Sequence, residues 1–116
     1  MDDTVILMNE VENDGNTVHL YLSPLYKNYV AYGISAYIVS RVVSTVECGY
    51  DYDAQMPMVK LDGQQLAKLG MSTCQTVSIQ REHAQLKVEH IYDEEGYDRW
   101  ASFVRSQYAQ DDLFKI

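Results

Sequence analysis

The segment from Ser23 to Val43, SPLYKNYVAYGISAYIVSRVV, constrains the fold more than any other part of the chain. Ser23 offers an N-cap oxygen, and Pro24 follows at the first helical position, where a missing N–H costs no hydrogen bond. Apolar residues then recur at steps of three and four, as one face of a helix requires. They are Leu25, Tyr29, Tyr32, Ala36, Val39 and Val43. The pattern predicts a continuous helix over residues 24–43.

Gly33 supports a second interpretation of the same segment. A glycine can end a helix as its C-terminal cap, and the β-branched residues that follow it favour a strand. In this alternative the helix stops at Tyr32 and residues 34–43 are extended. We favour the continuous helix because the apolar face stays in register across Gly33.

Five segments carry strand signals, in which apolar and polar residues alternate or apolar residues run together between turn residues. They are residues 4–8, 17–22, 50–61, 76–80 and 85–91. The Asn-Asp-Gly-Asn sequence at 13–16 is typical of a hairpin turn, so the first two strands are predicted to pair. A polar turn at 81–84 predicts a second hairpin. Pro57 marks its segment as an edge strand or as a strand with a bulge.

Helix signals in the second half of the chain complete the predicted secondary structure. Asp62 is a good N-cap for a short helix over 63–69, which Gly70 ends. Asp93 caps a last helix with an apolar stripe. The stripe is Tyr97, Trp100, Phe103, Val104 and Tyr108. We therefore predict an α+β domain, in which two longer helices and one short helix pack on a mixed, largely antiparallel sheet of about five strands.

The length of 116 residues points to a single domain over 1–116, with residues 110–116 as a flexible tail that lacks a helical pattern. The formal net charge of −8 opposes a sequence-independent nucleic-acid binder, because such proteins draw their affinity from Lys and Arg on phosphates. The N-terminal stretch is acidic ahead of a short apolar run, the reverse of a signal peptide, and polar residues interrupt the longest apolar stretch. We therefore expect a cytoplasmic protein that does not contact a membrane.

The tyrosine-rich segment also contains the motif Y-x-x-Y-x-A-Y-G-x-x-A, which runs from Tyr26 to Ala36. This motif resembles the first domain of the bacterial mismatch-repair MutS family, in which a strand leads into an aromatic-rich helix. Pro57-Met58 and residues 76–80 follow in the order of that family's later elements, so the resemblance covers about residues 17–82. The resemblance implies a small accessory protein of bacterial DNA metabolism.

The residues with which that family reads a mismatch are not retained. The family has a Phe-x-Glu pair, whose ring stacks on the mispaired base and whose carboxylate hydrogen-bonds it; Asn28 and Val30 stand at these positions. Tyr26 and Lys27 replace the preceding Gly-Asp, and no phosphate-binding G-x-x-x-x-G-K-[ST] sequence is present. The resemblance places Tyr26, Lys27, Asn28 and Val30 at a nucleic acid without the family's mismatch reading, and the acidic charge opposes direct binding.

The C-terminal sequence from Gln110 to Phe114, QDDLF, resembles the Q-L-[SD]-L-F peptide by which bacterial replication and repair proteins dock on the sliding clamp. In that mode Leu113 and Phe114 would enter an apolar groove while Gln110 fixes the register. Asp111 departs from the usual leucine. The alternative is that Leu113, Phe114 and Ile116 pack on the domain's own core.

No local catalytic signature occurs in the chain, so we expect a protein that is not an enzyme and takes no cofactor. His19, His83 and His90 do not have the spacing of a zinc site, which needs three or four converging ligands, and no metal is predicted.

Two hypotheses for function follow. The first is the accessory protein of DNA metabolism that the resemblance implies. The second is a protein-interaction module or homodimer unrelated to DNA. Tyr29, Tyr32 and Tyr37 would then form a partner-binding face of the predicted helix, because tyrosine suits half-buried interfaces. A third, an acidic mimic of DNA, requires carboxylates at phosphate-like spacing.

Overall fold

The computed structural model describes residues 3–22, 28–52, 54–72, 75–79, 83–88 and 92–114, with the backbone alone for residues 3, 71–72, 75–79 and 108–114. Helices and strands alternate irregularly along the chain. Their order is α1 (Asp3–Val11), β1 (Thr17–Leu22), β2 (Tyr29–Tyr32), α2 (Gly33–Val42), β3 (Glu47–Asp51), β4 (Met56–Leu61), α3 (Gly63–Ser72), β5 (Gln75–Ile79), β6 (His83–Lys87) and α4 (Glu94–Phe114).

The strands form one sheet in the order β3-β4-β2-β1-β6-β5, in which every neighbouring pair is antiparallel. The predicted α+β class with a largely antiparallel sheet is therefore confirmed. Within the described residues the sheet has six strands instead of about five, and α1 is a helix that the sequence patterns did not predict.

Strand alternation divides the core between the two faces of the sheet. On one face, which we call the helical face, Leu20, Ala31 and Val59 are fully buried and belong to the same core cluster as Ile38 of α2. Trp100 of α4 packs against this cluster. On the opposite face a smaller cluster contains Tyr21 and Met56 of the sheet together with Ile6 of α1. The helical face therefore holds the main core, and α1 closes part of the other side.

The segment predicted to be one helix over 24–43 is a strand followed by a helix. Tyr29–Tyr32 is β2 and the helix begins at Gly33, so both sequence interpretations are wrong for residues 29–32. Gly33 has φ +55, which lets the chain turn sharply from strand to helix. A Cβ atom there would lie 3.1 Å from Met56 Sδ and 3.3 Å from Glu10 Cγ. Residues 23–27, with the predicted cap at Ser23, lie outside the described part of the chain.

Residues 4–8 were predicted to be a strand, and they lie in helix α1. Ile6 and Glu10, one helical turn apart, are both buried, whereas Met8, which a strand would place on the same side as Ile6, is 57% exposed. The turn signal at 13–16 is real, because the Gly15 N–H donates to Asn13 Oδ1 at 2.9 Å, but it joins a helix to β1 instead of making a hairpin.

Pro57 lies in an interior strand, not at an edge as predicted. β4 pairs with β3 on one side and with β2 on the other. The ladder with β2 ends where Tyr32 faces Met58, and Pro57 is one residue beyond that pair. Pro57 faces Tyr50 of β3 and has no partner residue in β2, so it lies where β4 is paired on one side only. The predicted single extended segment over 50–61 is in fact the end of β3, a turn and β4.

Several local predictions are confirmed. β1 spans residues 17–22, and residues 75–79 pair with 83–87, so the second hairpin is present. Its second strand begins at His83, so the predicted turn at 81–84 is wrong for residues 83 and 84, which belong to β6. Asp62 caps α3: its Oδ1 accepts the Gln65 N–H at 2.8 Å while Gln65 Oε1 accepts the Asp62 N–H. Asp93 Oδ2 likewise accepts the Gly96 N–H at the start of α4.

Two helix ends differ from the predictions. The helix after Asp62 was predicted to stop before Gly70, and α3 continues to Ser72. α4 continues to Phe114, through most of the predicted tail, so the prediction that residues 110–114 lack helical structure is wrong. In its stripe Val104 is buried but Phe103 is 65% exposed.

Candidate functional site

Helix α1 presents an unusual amount of apolar side chain to solvent. Val5, Leu7, Met8 and Val11 are 44%, 46%, 57% and 75% exposed, and we call these four residues the α1 stripe. At 100° per residue they spread over nearly half of the helix circumference. Single exposed apolar residues are ordinary on a protein surface, whereas a contiguous set rimmed by polar residues is typical of an interaction site.

Two exposed acidic side chains, Glu12 and Asp14, lie beside the C-terminal end of the α1 stripe. Residues 1–22 contain three Asp and two Glu and no Lys or Arg. A cleft of about 310 Å³ lies between the end of α1 and the strands β1 and β6. Its lining residues are Asn9, Glu12, Asn13, Asp14, Thr17, His19 and Gln85. This end of the molecule therefore combines an apolar helix face with an acidic rim that consists of Glu12 and Asp14.

On its inner side α1 is held by a buried carboxyl group. Glu10 is only 5% exposed, and its two oxygens face the first turn of α2. Oε1 accepts the Ser35 backbone N–H at 2.9 Å, and Oε2 accepts the Ser35 hydroxyl at 2.6 Å. Asn13 Nδ2 donates to Oε1 at 3.3 Å. Burial raises the pKa of Glu10 to about 7, although these hydrogen bonds favour the ionised form.

Ser35 connects this carboxyl group to the sheet. Its Oγ accepts the backbone N–H of His19 at 2.9 Å. β2 ends at Tyr32, and α2 has begun by Ser35. The Ser35 hydroxyl therefore accepts the His19 N–H in place of a backbone carbonyl of a neighbouring strand. Asn13 Nδ2 also lies 3.3 Å from Ser35 Oγ and donates to the Thr17 carbonyl at 2.8 Å. One polar network thus joins the end of α1, β1 and the start of α2.

A pair of histidines lies on the opposite face of the sheet beside the cleft. His19 Nδ1 and His83 Nε2 are 3.0 Å apart, with ring centroids 5.2 Å apart and an interplanar angle of 18°. Two nearly coplanar rings at this centroid separation have the geometry of an in-plane N–H···N hydrogen bond, in which one ring donates and the other accepts. Burial lowers the pKa of His19 to about 4 and, more weakly, that of His83. Both rings are therefore neutral at neutral pH.

Tyr21 extends the histidine pair toward α1. Its ring is parallel to that of His83, with centroids 4.8 Å apart and an interplanar angle of 5°. Asn9 Nδ2 donates to the Tyr21 hydroxyl at 2.8 Å. Burial raises the pKa of Tyr21 to about 12, so the phenol stays protonated. Helix α1 is consequently attached to the sheet at Tyr21 and to α2 at Ser35.

The histidine pair was missed at the level of sequence, where the three histidines were considered only for the spacing of a zinc site. The two histidines come together because β1 pairs with β6, which places Tyr21, two residues after His19, opposite His83. This pairing is a long-range contact that local sequence patterns do not show. His90 lies outside the described residues. Among the residues that are described, no three His, Cys, Asp or Glu side chains are grouped as metal ligands.

The tyrosines predicted to form one partner-binding helix face do not share a face. Tyr29 packs on the main core, Tyr32 packs on the smaller cluster with Ile6, and Tyr37 is 4% exposed. The ring of Tyr37 lies 5.6 to 6.2 Å from the rings of Tyr92, Tyr97 and Trp100, where it fixes α4 against α2. The prediction of a tyrosine-rich docking face is wrong, because Tyr29 and Tyr32 lie on a strand.

Of the residues predicted to meet nucleic acid, the structure contradicts Val30 and leaves the prediction for Asn28 untested. Val30 is 2% exposed, so its assignment to a DNA contact is wrong, and Asn28 is half-buried. Tyr26 and Lys27 lie outside the described residues. Gln110, Leu113 and Phe114, predicted to dock on a sliding clamp, are described by backbone alone, in the last turns of α4.

Comparison with protein-family models, with curated proteins and with solved structures finds no match for this chain. Among the described helices, none has the combination of length and apolar character that crossing a membrane requires.

Proposed function

We propose that this chain is a non-catalytic protein-interaction module, which inserts the α1 stripe into an apolar groove of another protein. The observation that carries the proposal is the exposure of Val5, Leu7, Met8 and Val11 on one short helix. Amphipathic helices that dock in grooves use anchors spaced three and four residues apart. Val5 and Met8 are separated by three residues, and Leu7 and Val11 by four.

Charge indicates the chemistry of the partner. Glu12 and Asp14, both exposed, lie at the end of the helix, and residues 1–22 contribute no positive side chain. A second copy of this chain would bring the same acidic rim against itself, and like charges oppose such an interface. We therefore expect a groove with Lys and Arg around an apolar floor, which complements both the stripe and its rim.

The polar network beneath α1 supports this role. An isolated nine-residue helix is marginal in water, so α1 depends on its contacts with the fold. Asn9 and Glu10 supply hydrogen bonds to Tyr21 and Ser35. A helix held in its bound conformation loses less entropy on docking. These polar groups are paired with one another, which supports a structural role for them over a catalytic one.

The MutS-like motif adds a second, more specific proposal: the partner belongs to bacterial DNA metabolism, and contact with DNA is indirect. Direct contact is disfavoured by the charge of −8 and by the burial of Val30 at the position where the family reads a base. The clamp-like tail offers one such partner. Titrating a peptide of residues 106–116 into purified sliding clamp tests that contact, and no binding at high micromolar concentration would reject it.

Site-specific photo-crosslinking in the native cell tests the docking proposal. A photoreactive residue at Val11 is expected to crosslink a partner, whereas the same residue at Gln64, exposed on α3, is expected not to. The partner is then purified and its affinity is measured. We expect Met8→Glu to weaken binding at least tenfold, because it places a charge in an apolar groove.

Phe103→Glu is the matched control for this measurement. Phe103 is 65% exposed but belongs to α4, outside the α1 stripe, so its substitution is expected to leave the affinity unchanged. Affinity for a groove with a basic rim should also fall as salt is raised. Equal losses for Met8→Glu and Phe103→Glu would contradict the proposal. A crosslink between two copies of this chain would show that α1 binds a second copy. The proposed partner with a basic rim would then be rejected in favour of a homodimer.

A further inference from the structure

We propose that the cleft between the end of α1 and the strands β1 and β6 is a pocket for one arginine side chain of the partner, which enters it while the partner covers the α1 stripe. The inference deepens the proposed function and rests on it for the identity of the partner, because it names a side chain that the partner must carry. The pocket itself is a property of the free protein, so an arginine derivative alone can test it.

The cleft has the size and the position that one side chain requires. Its volume of about 310 Å³ is at the lower end of the roughly 300–1,000 Å³ that small-molecule pockets span. Glu12 lines the cleft, and its N–H donates to the Met8 carbonyl at 3.1 Å, so Glu12 continues the last turn of α1. Met8 of the α1 stripe is four residues earlier, on the same side of the helix. A partner that covers Met8 therefore lies beside the cleft.

The charges around the cleft favour a cation. Glu12 and Asp14 line it, and none of its lining residues is Lys or Arg. Asp14 is already engaged, because its Oδ1 accepts the Asn16 N–H at 2.9 Å, and this bond, with a smaller contribution from Lys87, lowers its pKa. The exposed carboxylate of Glu12 has no such partner among the described residues. The cleft also lies at the C-terminal end of α1, where the helix dipole is negative.

A second, independent feature is an accessible nitrogen on a buried ring. His19 is 8% exposed, and its Nδ1 lies 3.0 Å from His83 Nε2. The other nitrogen of His19, Nε2, has no hydrogen-bond partner among the described residues, where every fully buried side-chain nitrogen or oxygen has one. Nε2 is therefore open to solvent, and the cleft is the opening that this ring lines. A buried ring that keeps one polar atom open to a cavity indicates a site for a polar group.

A guanidinium group matches the acceptors that the cleft offers. It has five N–H donors and no acceptor, so it requires several acceptors around it. Glu12 supplies a carboxylate, and Gln85, which lies opposite His19 in the ladder, supplies an amide oxygen. His19 Nε2 accepts a hydrogen bond when Nδ1 carries the proton and donates it to His83. Burial lowers the pKa of His19 to about 4, so the neutral ring does not repel a cation.

NMR titration of the full chain with N-acetyl-arginine amide tests the pocket. We expect saturable shifts of the amides of Asn13, Thr17 and Gln85, with a dissociation constant in the millimolar range. N-acetyl-citrulline amide has nearly the same shape without the charge, and it is expected to bind at least about tenfold more weakly. The absence of saturable shifts up to about 50 mM, or equal binding of the two compounds, would overturn the pocket.

Glu12→Gln removes the carboxylate and keeps the length of the side chain. It is expected to weaken binding of the arginine derivative about tenfold, the effect of losing one charge-assisted hydrogen bond. Glu47→Gln is the matched control, because Glu47 is an exposed carboxylate on β3, which β4 and β2 separate from β1. It should leave binding unchanged. Equal affinities of Glu12→Gln and the wild type would overturn the proposal.

Affinity for the purified partner separates a failure of the pocket from a failure of the proposed function. We expect Glu12→Gln to weaken partner binding about tenfold and Glu47→Gln to leave it unchanged. A loss with Met8→Glu but none with Glu12→Gln would leave the docking of α1 standing and show that the pocket is wrong. If the arginine derivative binds the free protein and neither Met8→Glu nor Glu12→Gln affects the partner, the proposed function is wrong. The cleft would then take a free guanidinium compound instead of a partner's arginine.

Discussion

Ser35 is the residue at which three separate parts of the chain meet. Its hydroxyl donates to Glu10 Oε2 at 2.6 Å, its own N–H donates to Glu10 Oε1, and its Oγ accepts the N–H of His19. The side chain is fully buried. A buried polar group that loses its partner retains its desolvation penalty, so the network is strongly stabilising only while every member is present.

Ser35→Ala is therefore expected to lower the free energy of unfolding by about 3 kcal/mol, because it leaves a buried carboxyl oxygen and a buried backbone N–H without that partner. Urea unfolding measures the change. Ser40→Ala is the matched control, since Ser40 lies on the same helix and donates only to the carbonyl of its own turn, that of Tyr37. We expect the control to cost less than about 1 kcal/mol; equal losses would show that Ser35 is an ordinary helical serine.

Glu10 and His19 respond to pH in opposite directions within one network. The pKa of Glu10 is raised to about 7 by burial, so its contribution to stability falls as the pH rises from 4.5 to 7. The pKa of His19 is lowered to about 4 by burial, so the unfolded chain takes up its proton first, and its contribution to stability rises as the pH rises from 4 to 6.5. The two effects partly cancel in the wild type.

Glu10→Gln should remove one side of this balance. Between pH 4.5 and pH 6.5 the stability of the variant is expected to increase by about 2 kcal/mol relative to the wild type, as the difference in the pKa of Glu10 requires. Urea unfolding of both proteins at the two pH values measures this difference. A constant difference between them would mean that Glu10 titrates at its ordinary pKa in the folded protein.

Elements with local signals were predictable from the sequence. β1 follows from alternation, and α3 and α4 from the caps at Asp62 and Asp93. β2 was not predictable in the same way, because four residues hold too little pattern. Tyr29 and Tyr32 are three apart, as on a helix, and all four residues are apolar or aromatic, so no polar residue marks the alternation of a strand. Pairing with β1 and β4 decided between the two.

The candidate site was harder to predict than the fold because its contacts are long-range. Glu10 meets Ser35 across 25 residues, and His19 meets His83 across 64. The helical character of α1 was hidden by a run of β-branched and apolar residues that is typical of strands. Its exposed stripe therefore appeared only once Ile6 was placed on the inner side of a helix.

The change from β2 to α2 depends on Gly33, which gives a prediction for these two elements. Gly33→Ala is expected to destabilise the protein by about 1–3 kcal/mol, because φ is +55 and the new Cβ would lie 3.1 Å from Met56 Sδ. Gly70→Ala is the control. Gly70 lies within α3, and nothing is within 4 Å of a Cβ there, so alanine should stabilise the helix by up to about 1 kcal/mol. Thermal unfolding of both variants checks the opposite signs.

At the scale of the whole molecule, charge and shape oppose direct contact with DNA. The chain carries 17 acidic and 9 basic residues. Val30, which the proposed resemblance to MutS aligns with a base-reading residue, is 2% exposed, so the proposal is restricted to a scaffold that does not read DNA. Acidic character is fully compatible with a partner that has a basic rim, and it raises the rate at which such partners meet.

A gel shift on matched and mismatched duplexes of equal length distinguishes direct from indirect contact with DNA. In low salt, where phosphate contacts are strongest, we expect neither duplex to shift at micromolar protein, because a net charge of −8 repels the phosphate backbone. Fluorescence anisotropy with the same duplexes provides a measurement at equilibrium. A mismatch-specific shift would show that residues 23–27, or another segment outside the described residues, bind DNA directly, and the indirect role proposed above would then be wrong. Equal shifts for both duplexes that disappear at moderate salt would indicate sequence-independent attraction to a local basic surface.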